Sequence, residues 1–258
     1  MTESMIAVDG GQVWADDSGG DLPPLVLLHP GVGDSRIWDL IRPALTPTYR
    51  VIRFDARGFG KSPAPTVEYT LLGDLVAVLD HYGIDRTPIV GCSQGGDTAI
   101  ALAITSPERV SALVLLCPGI SGYDWPEDPE TDAEFEKAEA GGVDAIAAVA
   151  QKLWAAAGST PEVDEQLRSA AKGWMTTYGF EQPNPATFDR LGEITVPTSL
   201  LVGDLDRPSL IECDLQIAAR IPGCRLIEVP GVDHLPPLRV PDLVLRTIAE
   251  TLSEPGPR

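Results

Sequence analysis

Pro88-Ile89-Val90-Gly91-Cys92-Ser93-Gln94-Gly95-Gly96 joins an apolar run to a Gly-x-Ser-x-Gly turn. Asp97 to Ile104 follows, rich in alanine and leucine, and predicts a helix. The order is strand, sharp turn, helix. A serine at such a turn is held in strained backbone that lifts its hydroxyl above the sheet edge. Gly91 and Gly95 have no Cβ, so strand and helix can approach closely beside Ser93. The backbone N–H of Gln94 lies at the helix N-terminus, where negative charge is stabilised. Alone, the motif also describes a glycine-rich turn with a solvated serine. The flanking segments and the distant partners decide between the two.

On the C-terminal side, Ser106-Pro107 stops the helix and Val110 to Cys117 reads as another buried strand. On the N-terminal side, Pro24 to His29 is a continuous apolar run of the kind buried on both faces of a parallel sheet. The small-residue loop Pro30 to Ser35 follows, then a short helix over Ile37 to Leu45 and a strand over Tyr49 to Asp55. Tyr69 to Tyr82 places Leu71, Leu75, Val78 and Leu79 on one helical face and ends at Gly83. His81, in its last turn, suits a helix C-terminus rather than catalysis. At the start, Ile6 to Val8 and Gln12 to Ala15 flank a glycine turn and predict a hairpin. Near the end, strands are expected over Val196 to Gly203 and Arg225 to Val229, and helices over Ser209 to Ile221 and Pro241 to Leu252. Ser253 to Arg258 is expected to fray. Strands alternating with helices predict an α/β fold, a doubly wound and mostly parallel sheet of eight strands.

The alternation breaks at Gly119. Residues 121–195 show helix patterns at Thr131 to Glu139, Val143 to Ala156 and Pro161 to Met175, and no strand. They carry 15 Asp and Glu against 5 Lys and Arg, a balance of −10 within a chain total of −19. Trp125, Trp154, Trp174, Met175 and Tyr178 sit among them. The expected organisation is a core of residues 1–120 and 196–258 with a helical lid over 121–195. Each tryptophan can serve either to pack lid on body or to contact substrate.

Composition bounds the function. A net charge of −19 opposes nucleic acid and anionic membrane partners by repulsion. No run of about 18 apolar residues exists to span a membrane. The first residues show no basic-then-apolar signal, and four scattered cysteines without a C-x-x-C pair suit a reducing cytoplasm and argue against a zinc site. Gly60-Lys61-Ser62 ends like a phosphate-binding loop. The glycine required five positions earlier is Asp55, and Pro63 and Pro65 block a helix, so the nucleotide reading fails. No metal or cofactor is called for.

Ser93, Asp206 and His234 each follow a predicted strand, and in an open parallel sheet those strand ends share one edge where ligands bind. A serine hydroxyl is a poor nucleophile unless a base removes its proton. A free imidazole, with a pKa of about 6.5, is mostly neutral at pH 7, and a carboxylate must fix its tautomer.

The chain resembles the α/β-hydrolases, in the esterase, lactonase and cofactor-free-haloperoxidase-like group. The matching pieces are Leu28-His29-Pro30-Gly31, Asp55 to Ser62, Gly91 to Gly96, Pro107 to Val110, Gly203 to Asp206 and Gly231 to His234. The resemblance implies Ser93 as nucleophile, His234 as base and a carboxylate in the Gly203 loop as the acid. The family pattern Gly-x-x-Asp selects Asp206 over Asp204, which is expected to brace the loop. It makes His29 structural and the backbone N–H groups of Gly31 and Gln94 the oxyanion donors. Pro30 replaces the usual glycine after that histidine. Val32, Trp125, Trp154, Trp174 and Met175 are the expected substrate contacts. The implied reaction is hydrolysis of a small carboxylic ester or lactone. Carbon–carbon bond hydrolysis, perhydrolysis and a non-hydrolytic small-molecule-binding or biosynthetic role are the alternatives. A homodimer is compatible with this reading.

Overall fold

The structure, a computed structural model, describes residues 2–253, so the tail beyond Ser253 lies outside the described residues. Eight strands form one sheet: β1 (Thr2–Val8), β2 (Gly11–Asp17), β3 (Pro24–Leu28), β4 (Arg50–Phe54), β5 (Thr87–Cys92), β6 (Val110–Leu116), β7 (Thr198–Gly203) and β8 (Arg225–Val229). Their spatial order is β1-β2-β4-β3-β5-β6-β7-β8. β1 pairs antiparallel with β2, and β2 antiparallel with β4; every other pair is parallel. The hairpin strands run longer than the apolar positions alone indicate, because Thr2 through Val8 pairs residue by residue with Gly11 through Asp17.

The apolar runs work as expected of strands covered on both sides. Leu25, Leu27 and Val90 pack on one face, Val26, Leu28 and Ile89 on the other, as the two-residue period requires. One face is covered by α2 (Leu71–His81), α3 (Gln94–Thr105) and α7 (Pro208–Arg220), the other by α9 (Pro241–Ser253). The helix expected over Ile37 to Leu45 is two pieces, a 3-10 turn at Ser35–Trp38 and a single α-turn, α1 (Arg42–Leu45). Asp34 caps the first by accepting from the Arg36 N–H, and Pro43 lacks the N–H that a continuous ladder would need. A further short turn, α8 (Pro236–Arg239), occupies what reads as a proline loop.

Between β6 and β7 lie α4 (Pro129–Glu139), α5 (Gly142–Trp154) and α6 (Pro161–Thr177), followed by a 3-10 turn at Phe188–Glu193. Asp128 and Thr160 cap α4 and α6 through their side chains, each just before a proline at the first helical position. Val163 and Leu167 of α6 reach the core layer that holds Trp38 and Ile41.

Gly91 and Gly95 permit the central contact. A Cβ at Gly95 would collide with the backbone of Leu28 and His29, and one at Gly91 with the backbone of Gly95. Backbone on both sides cannot yield as a side-chain tip would. Gly95→Ala is therefore expected to destabilise the protein by about 2 kcal/mol, read from the urea midpoint.

Candidate active site

Ser93 closes β5 and opens α3 with φ +49° and ψ −117°. Such backbone is costly for a residue with a Cβ and persists only when its surroundings hold it. Here its N–H donates to Leu116 O at 2.9 Å, and its carbonyl accepts from Gly96 at 2.7 Å and Asp97 at 3.1 Å. The turn is thus fastened to both β6 and α3.

His234 follows β8 and Asp206 follows β7. His234 Nδ1 lies 2.6 Å from Asp206 Oδ2, and the two residues are 1% and 6% exposed. The other carboxylate oxygen accepts from the Arg207 N–H at 2.7 Å. Asp206 is therefore held at both oxygens, and its hold on Nδ1 leaves Nε2 as the nitrogen free to exchange a proton. Asp204 is exposed and accepts from the Gly231 N–H at 2.6 Å, bracing the β8 loop as expected. Asp233 is buried but turns to Arg239, at 2.7 Å. Ser93 and His234 line one cavity of about 530 Å³. Among the described residues no hydrogen bond joins Ser93 Oγ to the ring; such contacts in unliganded sites are commonly long and tighten on binding.

His29 has no nitrogen to spare. Its Nε2 accepts from the Ala56 N–H at 2.9 Å, so the proton sits on Nδ1, which faces the Pro30 carbonyl at 2.8 Å. That bond shapes the following loop. Gly33 N–H closes a turn on Pro30 O at 3.2 Å, and the N–H groups of Gly31 and Val32 have no partner among the described residues. Gly31, Val32 and Gln94 all line the cavity. Gly31 and Gln94 are the donors expected from the sequence; the turn leaves Val32 equally open.

Trp125, Trp154 and Trp174 line the cavity, with Trp154 and Trp174 rings 5.6 Å apart. Packing and lining are thus the same surface. Met175 departs from expectation: it is 55% exposed and lies outside the cavity wall. Neighbours in a helix point about 100° apart, so α6 cannot turn both Trp174 and Met175 inward.

Several supporting residues carry no local signal. Asp34, fully buried, accepts from Arg36 Nη2 at 2.6 Å and Ser169 Oγ at 2.5 Å, while its N–H donates to Gln166 Oε1 at 2.9 Å. Burial pushes its carboxyl up, but the bonds from Arg36 and Ser169 more than offset this and hold it at about 2. Gln94 Nε2 donates to Glu181 Oε1 at 2.6 Å, and Tyr69 OH to Glu181 Oε2 at 3.2 Å. Burial raises the Glu181 carboxyl, partly countered by the Tyr69 bond. Asp97 accepts from Asn184 and Ser121, at 2.9 and 2.7 Å. Asp214 of α7 is fully buried with both oxygens unpartnered among the described residues, and burial, aided by the nearby Asp206 charge, pushes its carboxyl well up. Cys117, Asp206 and His234 offer three donor atoms within 4.8 Å. Two of these residues are bonded to each other and burial pushes the Cys117 thiol up, so the set is a poor metal cage.

A profile of the alpha/beta hydrolase fold matches residues 23–155. The chain is 40% identical over 124 residues to 2-hydroxymuconate semialdehyde hydrolase of Pseudomonas sp. (strain CF600), covering 45% of this chain and 43% of that protein. It thus matches less than half the length of that relative. It is 28% identical over 250 residues to 2-hydroxy-6-oxononadienedioate/2-hydroxy-6-oxononatrienedioate hydrolase of Klebsiella pneumoniae, covering 87% and 86%. Among solved structures it is similar to Est816, described as an N-acyl homoserine lactone degrading enzyme, with 26% identity, 96% and 99% coverage and a TM-score of 0.82. Among the described residues no helix is long and apolar enough to cross a membrane. With strand order, serine turn and profile in agreement, the chain belongs to the alpha/beta hydrolase fold family.

Proposed function

We propose that the chain is a serine hydrolase cleaving a small carboxylic ester or lactone. The observation that carries this reading is the buried 2.6 Å bond between His234 and Asp206 beside the cavity that Ser93 shares. In this mechanism His234 Nε2 takes the Ser93 proton as Oγ attacks the carbonyl carbon. The N–H of Gln94 and that of Gly31 or Val32 bind the oxyanion, each such donor being worth about 100-fold or more in rate. The imidazolium returns the proton to the leaving alcohol, giving an acyl-enzyme on Ser93. A water deprotonated by His234 then releases the acid. Residues 121–195 act as a lid, because they supply the tryptophans of the cavity wall.

Similarity to the lactone-degrading Est816 supports ester or lactone chemistry. Carbon–carbon bond hydrolysis by the same residues is the second reading, favoured by the dienedioate hydrolase relative. A fluorophosphonate probe is expected to label the folded protein at Ser93 and to leave Ser93→Ala unlabelled. An ester and lactone panel graded by acyl length is expected to show turnover that disappears in Ser93→Ala. Turnover surviving that substitution overturns the mechanism.

A further inference from the structure

The cavity beside Ser93 carries a charge pattern that ester hydrolysis does not itself require. Its wall holds Glu127, Asp128 and Asp132 and one guanidinium, Arg207. Arg207 Nη2 lies 2.6 Å from Asp128 Oδ2, so the one Arg or Lys of the wall is already neutralised. Glu127 and Asp132 are exposed and form no ion pair among the described residues. The three tryptophans line the same cavity, and the Arg207 guanidinium already lies over the Trp154 ring at 5.9 Å. In the same wall the imidazole of His234, 1% exposed, presents a nitrogen that has no partner among the described residues.

A ligand with its carbonyl at Ser93 therefore shares its cavity with aromatic side chains and with two carboxylates without counter-ions. Aromatic rings attract a cation through their quadrupole, and unpaired carboxylates attract it through charge. A carboxylate-bearing ligand meets repulsion there, and among the described residues of the wall the one guanidinium is already paired with Asp128. This contrasts with the dianion in the name of the Klebsiella pneumoniae relative.

We infer that, on the ester or lactone reading of this site, the substrate carries a positively charged ammonium or guanidinium group and that dicarboxylate substrates are excluded. The test uses three butyrate esters whose alcohols end in trimethylammonium, tert-butyl or carboxylate, and a second trio with the same three groups on the acyl chain. In at least one trio kcat/KM is expected to be about tenfold higher for the cationic than for the neutral member, and lowest for the anion. The preference shrinks in 1 M salt, where the screening length falls to about 3 Å. It also falls several-fold in the Glu127→Gln/Asp132→Asn double variant. Turnover that depends on Ser93 but favours the anion, or a cation preference unchanged in the double variant, overturns the inference and leaves the hydrolase reading intact. If no ester is turned over, the hydrolase reading is what fails. Tetramethylammonium quenching of tryptophan fluorescence then decides the charge question: saturable quenching lost in the double variant supports it, and absence of quenching overturns it.

Discussion

Asparagine in place of Asp206 is expected to lower kcat for any substrate of this protein by about 10⁴, with KM little changed. The reason is tautomeric. Asp206 Oδ2 lies 2.6 Å from His234 Nδ1 and obliges the proton to sit there. An amide can present its N–H₂ instead, placing the proton on Nε2, where a base must have none; loss of the orienting carboxylate costs about this much in serine hydrolases. Asp204→Asn is the matched control, because its carboxylate touches the Gly231 N–H and not the ring; its effect is expected to be within a few-fold. Single-turnover rates on an activated ester compare the two. Equal losses would remove Asp206 from the assigned role.

The second large effect is on stability. Asp34→Ala removes the cap of the 3-10 turn and the acceptor for Arg36 and Ser169. Losing a cap costs about 1 kcal/mol, and leaving the buried Ser169 hydroxyl without its acceptor adds about 2. A loss of about 3 kcal/mol is expected in urea unfolding at pH 7. The effect depends on pH with a defined sign. The folded carboxyl sits at about 2 against an ordinary 3.8, so its ionised form favours the native state. That contribution, about 2 kcal/mol, is fully present above pH 4 and is lost as pH falls through 2. The gap between wild type and Asp34→Ala should therefore narrow on acidification. A gap that stays constant from pH 7 to pH 2 would count against this account.

The central strands of the sheet were legible because they are apolar runs punctuated by glycine and proline, and burial on both faces leaves such runs little alternative. The placement of Ser93, Asp206 and His234 at one edge of the sheet was legible for a related reason: each follows a strand end within a short recognisable motif. Asp34, Glu181 and Asp214 were not. Asp34 bonds to Ser169, 135 positions away, and Glu181 to Gln94, 87 positions away. No local periodicity encodes such meetings. Met175 was misplaced because proximity to Trp174 in sequence says nothing about which side of α6 it faces. Asp128 and Arg207 meet across 79 positions, so the neutralised guanidinium of the cavity is a property of the fold alone.

The segment between β6 and β7 bonds to the core at positions beside every element of the site. Gln166 and Ser169 hold Asp34 next to the His29 loop, Glu181 holds Gln94, Asn184 holds Asp97, and Ala157 N–H donates to Asp233 at 3.0 Å, one residue from His234. It follows that 121–195 is not an exchangeable cassette. A chimera that imports this stretch from a relative must import the matching residues at 34, 94, 97 and 233 as well, or the loops around the serine will inherit orphaned polar groups along with the new specificity.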